Sequence, residues 1–128
     1  MHRIKFESGM EVLINEFCDF IVKHGYNKDQ KKYYKNALDN FNWFISGLDV
    51  RDLTQVTRAM ACSQFLRYLN KGFRVYRRYG GAKRNYPNDY SFQIKEFFMF
   101  LHTHKNISNP KVLKALCSKE ELKDLKIK

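Results

Sequence analysis

Residues 10–25, MEVLINEFCDFIVKHG, carry the clearest structural signal in this 128-residue chain. Apolar or partly apolar side chains recur there at steps of three and four residues, which places them on one face of an α-helix. They are Met10, Leu13, Ile14, Phe17, Phe20, Ile21 and His24. Gly25 follows, at the position just past a helix where glycine is favoured. The stretch therefore predicts a helix over 10–24 that packs against other helices.

Two later stretches repeat this pattern and predict further helices. In the first, Asn27 or Asp29 caps a helix that runs to about residue 45. In the second, Asn88 or Asp89 caps a helix that runs to about residue 104. Their inward faces consist of Tyr34, Ala37, Leu38, Phe41, Phe44 and Ile45 in the first, and of Ile94, Phe97, Phe98 and Leu101 in the second.

The sequence between these two stretches predicts a third helix with two contrasting faces. It follows a connection over 46–52, begins near Thr54 or Thr57, and ends by Gly80-Gly81. On a helical projection Lys71, Arg74 and Arg78 all lie within about 40° of Arg67, opposite Cys62, Phe65, Leu69, Phe73 and Tyr76. Gly72 interrupts the pattern, so a break followed by a hairpin over 73–86 stays open.

Composition and the C-terminal signals complete the prediction of the fold. Pro110 suits the first position of a short helix, and Ser118 with Glu121 forms a capping box for another that ends near residue 126. The chain is 44% hydrophobic with only six Gly and two Pro, so it can bury a core and favours helices over a turn-rich β-fold. We expect an all-α fold: one domain over 1–128, a compact bundle of four main helices plus short C-terminal helices.

The residues that usually carry catalysis or bind metals form no recognised pattern. Cys18, Cys62 and Cys117 are odd in number and widely separated, so we expect buried, reduced thiols in a reducing compartment. His102 and His104 stand two residues apart, which turns them away from each other on a helix. There is no glycine-rich phosphate loop. We therefore expect no metal, no cofactor and no enzymatic activity.

Positive charge is concentrated in residues 53–88. The chain has 24 Lys and Arg against 13 Asp and Glu, a net charge of +11, yet this stretch contains no acidic residue. Its basic residues are Arg58, Arg67, Lys71, Arg74, Arg77, Arg78, Lys83 and Arg84, interleaved with Tyr68, Tyr76, Tyr79 and Tyr86. The guanidinium group suits phosphate oxygens and guanine edges, while the tyrosines can stack on bases or simply pack. The pattern favours nucleic acid as the partner, ahead of an anionic membrane.

A second basic group occupies the first turns of the second helix. It consists of Lys28, Lys31, Lys32 and Lys35. The helix dipole disfavours cations at this end, so the placement costs some stability. A ligand for these lysines and a merely solvated surface both explain it.

The order and spacing of the helical motifs point to a family. The motif residues are Phe17, Phe20 and Ile21, then Tyr34, Leu38, Phe41 and Ile45, then Phe65, Leu66 and Leu69, and last Phe97, Phe98, Leu101, Asn109 and Pro110. Over about 10–116 the chain resembles the N-terminal, SAM-like core-binding domain of tyrosine recombinases and phage-type integrases. Two features differ from that family: Gln30 stands where many members have Thr, and the basic 71–88 replaces what is usually a short link.

The resemblance implies a domain that clamps one face of duplex DNA, with its second and fourth helices near the major groove. Carried across by position, the DNA contacts are Lys31, Lys32, Lys35, Asn36, Gln93 and Lys95. The stretch 53–88 then acts as an added phosphate anchor. The catalytic residues of a recombinase belong to a following domain and have no counterpart here. We therefore expect either a fragment of an integrase or a stand-alone relative from a mobile element.

Three hypotheses for the function stay open. The first is duplex-DNA binding in site-specific recombination, with or without self-association on the DNA. The second is a small viral or plasmid protein whose basic face meets an acidic protein surface. The third is binding of single-stranded DNA or RNA through stacked tyrosines. No segment approaches the roughly 20 apolar residues that span a bilayer, and no signal peptide is recognised, so we expect a cytoplasmic location without a membrane partner.

Overall fold

The helical periodicity of the sequence produces six helices in the computed structural model, which describes residues 2–48, 50, 52–69 and 90–127, with side chains from residue 9 onward. The helices are α1 (His2–Lys23), α2 (Lys28–Ser46), α3 (residues 58–69), α4 (Ser91–His104), α5 (Pro110–Leu116) and α6 (Lys119–Asp124). A single 3-10 turn, Leu53–Gln55, precedes α3. These described ranges contain no β-strand, so the all-α class predicted from the sequence is confirmed.

Local chemistry accounts for the turn between α1 and α2. Gly25 adopts a φ of 102°, a left-handed conformation that is costly for residues with a Cβ. The backbone N–H of Gln30 donates to the Asn27 side chain at 2.8 Å, and the Asn27 N–H donates to the Gln30 side chain at 2.9 Å. This reciprocal pair is a capping box, which makes Asn27 the cap of α2 rather than Asp29.

The structure selects one of the two predicted caps of the third helix and shows how the fourth begins. Thr57 accepts a hydrogen bond from the Met60 N–H at 3.1 Å and so caps α3, whereas Thr54 lies in the 3-10 turn. Within α3, residues Met60–Gln64 form a π-helical turn. The spacing of the apolar residues in the sequence does not predict this local widening of the helix. α4 begins at Ser91 after Tyr90, which has a left-handed φ of 51°, and the predicted caps Asn88 and Asp89 lie outside the described residues.

The core is a cluster of aromatic side chains contributed by the four longer helices. The Phe17 ring of α1 contacts Tyr34 of α2 and Phe97 of α4, with ring centroids 5.8 and 5.5 Å apart. The Phe41 ring of α2 contacts Phe65 of α3 at 5.1 Å. These separations lie in the range where aromatic pairs attract. The face of α2 that points away from this core is its outer face.

Asn109 joins α5 to the turn before α3. Its side-chain amide is 3% exposed and donates to the carbonyl oxygens of Leu53 and Val56, at 2.8 Å each. Its side-chain oxygen accepts from the Val112 N–H at 3.1 Å and caps α5, with Pro110 in the first turn as predicted. The capping box of Ser118 and Glu121 at the start of α6 is also confirmed.

Candidate nucleic-acid interface

The outer face of α2 carries a row of exposed polar side chains. Lys28, Lys32 and Asn36 follow each other at four-residue spacing, so they lie above one another along the helix. All three are exposed, while Leu38 and Phe41 hold the opposite face in the core. Since each residue adds about 1.5 Å, the row extends over about 12 Å. Within the described part of the chain neither lysine has a carboxylate partner.

Lys31 and Lys35 flank this row, and each has an exposed ion-pair partner. The Lys31 Nζ lies 3.5 Å from Asp19 Oδ1, and the Lys35 Nζ lies 3.2 Å from Asp39 Oδ2. The four side chains are between 41% and 69% exposed. Ion pairs in this setting contribute at most about 1 kcal/mol, so a phosphate can compete for either lysine.

The two candidates on α4 lie in different surroundings from the lysine row. Lys95 Nζ lies 2.9 Å from Glu121 Oε2 of α6, with its side chain only 14% exposed, and 4.7 Å from the centre of the Phe92 ring. The backbone N–H of Ser118, together with Lys95, lowers the pKa of Glu121. A DNA phosphate would have to displace this carboxylate to reach Lys95. Gln93 lies beside α2 instead, half-buried in a cleft.

That cleft has a volume of about 540 Å³ and opens between the N-terminal ends of α2 and α4. Its lining residues are Tyr26, Asn27, Asp29, Gln30, Tyr33, Tyr34, Phe92 and Gln93. The Tyr26 hydroxyl donates to Glu96 Oε1 at 3.2 Å, and burial raises the pKa of Tyr34. The Tyr34 hydroxyl therefore stays protonated near neutral pH, while the Tyr26 hydroxyl links the turn before α2 to α4 through Glu96.

The described part of the arginine-rich stretch ends at Leu69. Arg58 and Arg67 are exposed on the surface. The Tyr68 ring centroid lies 5.1 Å from that of Phe44. Of the two roles that the sequence leaves open for the tyrosines, stacking on bases or packing, Tyr68 therefore has the packing role. The other predicted contacts, Lys71, Arg74, Arg77, Arg78, Lys83 and Arg84, lie outside the described residues, as do Tyr76, Tyr79 and Tyr86.

Trp43 belongs to the same face of α2, although the sequence-based site predictions leave it out. It is the only Trp of the chain, and its side chain is 69% exposed. It stands eleven residues after Lys32, three full helical turns that return it to within about 20° of that lysine. This angular position is the signal that identifies it, because Phe41 and Phe44 nearby fall on the inner face.

Among the described residues, the histidines and cysteines form no cluster of metal ligands. The two ring nitrogens of His102 lie 2.8 Å from Ser108 Oγ and 2.9 Å from the Leu125 carbonyl oxygen. Cys18 is buried, while Cys62 and Cys117 are only half-buried, which corrects the expectation that all three are buried. Burial raises the pKa values of the Cys18 and Cys117 thiols, which makes them poor nucleophiles at neutral pH.

Neither a cluster of metal ligands nor a helix that could span a membrane is present in the described ranges. Nowhere in residues 2–48, 52–69 or 90–127 do three His, Cys, Asp or Glu side chains converge as metal ligands. In the same ranges each helix is too short or too polar to cross a bilayer.

Comparison with known proteins adds no relative. No protein-family model matches the chain, and neither the curated proteins nor the solved structures contain a significant match. The likeness to recombinase core-binding domains therefore stays a prediction from the sequence motifs.

Proposed function

We propose that the protein binds duplex DNA through the outer face of α2, with contacts to phosphates supplying most of the affinity. The observation that carries this proposal is the exposed row of Lys28, Lys32 and Asn36, in which the two lysines lack carboxylate partners among the described residues. A net charge of +11 supports it, because a polyanion relieves the self-repulsion of such a surface.

The dimensions of α2 suit the major groove. An α-helix with its side chains is about 10–12 Å across, close to the roughly 12 Å width of that groove in B-DNA. The lysines of α2 all lie in its N-terminal half, the end that recognition helices commonly direct at DNA. Lys28 and Lys32 then contact phosphates, and the Asn36 amide is of the type that pairs with an adenine edge.

We place this activity in DNA integration and recombination, as the core-binding domain of a tyrosine recombinase or a stand-alone relative from a mobile element. The motif order from Phe17 to Pro110 supports this narrower role. In it the chain positions DNA and the cleavage chemistry belongs to a separate domain. The expected location is the cytoplasm, in association with the nucleoid or, for a viral protein, in the host cell.

Two double variants test the proposed face. Lys28→Ala with Lys32→Ala removes the row, while Lys111→Ala with Lys114→Ala removes the same charge from exposed positions of α5. Fluorescence anisotropy with a labelled duplex should show at least a tenfold loss of affinity for the α2 pair near 100 mM salt and less than about a threefold loss for the α5 pair. Equal losses, or no duplex binding by the wild-type protein, would contradict the proposal.

A further inference from the structure

We infer that Trp43 is a stacking platform for an unpaired base, so that the outer face of α2 binds DNA containing an unpaired base more tightly than a fully paired duplex. This inference rests on the proposed function, because it uses the same face of α2. Trp43 is 69% exposed, whereas the other exposed large apolar side chains of the described residues are between 39% and 58% exposed. Contact with a flat partner that removes such a large apolar ring from water is energetically favourable.

The surroundings of the indole favour a base over a protein surface. Its neighbours at three and four residues along α2 are Asp39, Asn40, Ser46 and Gly47, which form no apolar patch. Aromatic hot spots of protein interfaces lie instead at the centre of a packed, apolar contact area. Gly47 has no side chain, and a Cβ built there would meet only the Phe44 carbonyl oxygen within 4 Å. Gly47 therefore adds no side chain that could cover the indole.

The position of Trp43 relative to the lysines fits a nucleic-acid strand. It lies within about 20° of both Asn36 and Lys32 around the helix, and about 10 and 16 Å from them along its axis. A strand whose phosphates contact Lys28 and Lys32 therefore passes the indole. Proteins that bind exposed bases usually combine basic side chains that follow the nucleic-acid backbone with an aromatic side chain on which a base stacks.

The pairing state of the DNA decides whether this ring contributes. In an intact duplex both faces of each base are already stacked, so contact with the indole requires the cost of unstacking. An unpaired base has no such cost and can stack on Trp43 directly. Base–aromatic stacking of this kind changes affinity by about tenfold or more.

Tryptophan fluorescence tests the inference, because Trp43 supplies the whole signal. Three short DNAs of one sequence are compared: a perfect duplex, the same duplex with one unpaired base, and the single strand. We expect strong quenching by the two DNAs with unpaired bases and little by the perfect duplex. Trp43→Ala should lower affinity for the unpaired-base duplex about tenfold and leave the perfect duplex unchanged. Trp43→Phe, which keeps a ring, should retain most of the preference.

Phe92→Ala is the matched control, because Phe92 is an aromatic residue on α4 that is 51% exposed. It should leave the preference for unpaired bases unchanged. Equal effects of the two alanine variants, or an unchanged preference in Trp43→Ala without quenching in the wild type, would overturn the inference. If duplex binding still depends on Lys28 and Lys32 in that case, the proposed function is retained and only the inference about Trp43 fails. Binding to none of the three DNAs would overturn both.

Discussion

At the scale of single residues, Asn109 shows how one side chain can hold distant segments together. Its amide group has two donor hydrogens and an acceptor oxygen, and the structure uses all three, two of them on carbonyl groups more than fifty residues away. A cap before Pro110 is the kind of local signal that a sequence reveals. The contacts to Leu53 and Val56 depend on the packed bundle, so no local pattern predicts them.

Replacing Asn109 should therefore be unusually costly. Asn109→Ala removes one donor from each of two buried carbonyl groups and removes the cap of α5, so we expect the free energy of unfolding to fall by about 3 kcal/mol. Ser118→Ala removes an exposed cap of the same geometry and should cost about 1 kcal/mol. Urea denaturation measures both. A loss in Asn109→Ala no larger than that in Ser118→Ala would show that the long-range bonds contribute little.

Glu121 gives the stability of the protein a pH dependence. The Ser118 N–H and Lys95 hold the pKa of Glu121 below its ordinary value of 4.5. Because the folded-state pKa is the lower one, this stabilisation is complete above about pH 4.5 and is lost as the pH falls through the folded-state value. Glu121→Gln should therefore flatten the decline of stability between about pH 4.5 and pH 3, compared with wild type. Glu120→Gln, on the exposed side of the same turn, is the control, and superimposable curves for both variants would contradict the assignment.

At the scale of elements, the interiors of the helices follow from the sequence better than their ends. The inward positions Phe17, Phe41 and Phe97 are fully buried as predicted, because only a period near 3.6 residues keeps an apolar stripe against the core. His24, which the same period assigns to the inward face of α1, is exposed one residue past the end of that helix. Ends depend on one or two local bonds, so the start of α1 at His2 and the turn at Tyr90 carry no periodic signal.

The candidate site also has features that the sequence predicts and features that depend on tertiary packing. The lysine cluster of α2 is visible in the sequence because charge and spacing are local properties. Which lysines remain accessible is a tertiary property: Lys95 is held by Glu121, which is 26 residues away in the chain. Trp43 is exposed because α3 packs on Phe44 instead. The sequence therefore predicts the helix that carries the site better than the side chains that form it.

Two glycines offer a matched test of the backbone of α1. Gly25 has a φ of 102°, so Gly25→Ala should destabilise the protein by about 1 kcal/mol through strain at the helix end. Gly9 lies within α1, and a Cβ there meets no atom within 4 Å, so Gly9→Ala should stabilise by about 0.5–1 kcal/mol. Thermal or urea unfolding distinguishes the two. Changes of the same sign would show that α1 does not have the described extent.

At the scale of the whole molecule, a dense aromatic core supports a strongly basic surface. Rings from α1, α2, α3 and α4 pack on one another in the core, so the bundle can tolerate the repulsion of a net charge of +11. The same core fixes α2 along its inner face and leaves its outer face to solvent. Affinity for a polyanion is then a property of the whole charge distribution, and salt should control it.

The most direct test of duplex binding through phosphate contacts is its salt dependence. Contacts to about five phosphates predict that the logarithm of the association constant falls with the logarithm of salt concentration at a slope near −4 to −5 between about 50 and 200 mM. Removing Lys28 and Lys32 together should reduce the magnitude of that slope by about 2. An affinity for duplex DNA that hardly changes over this range would contradict the account.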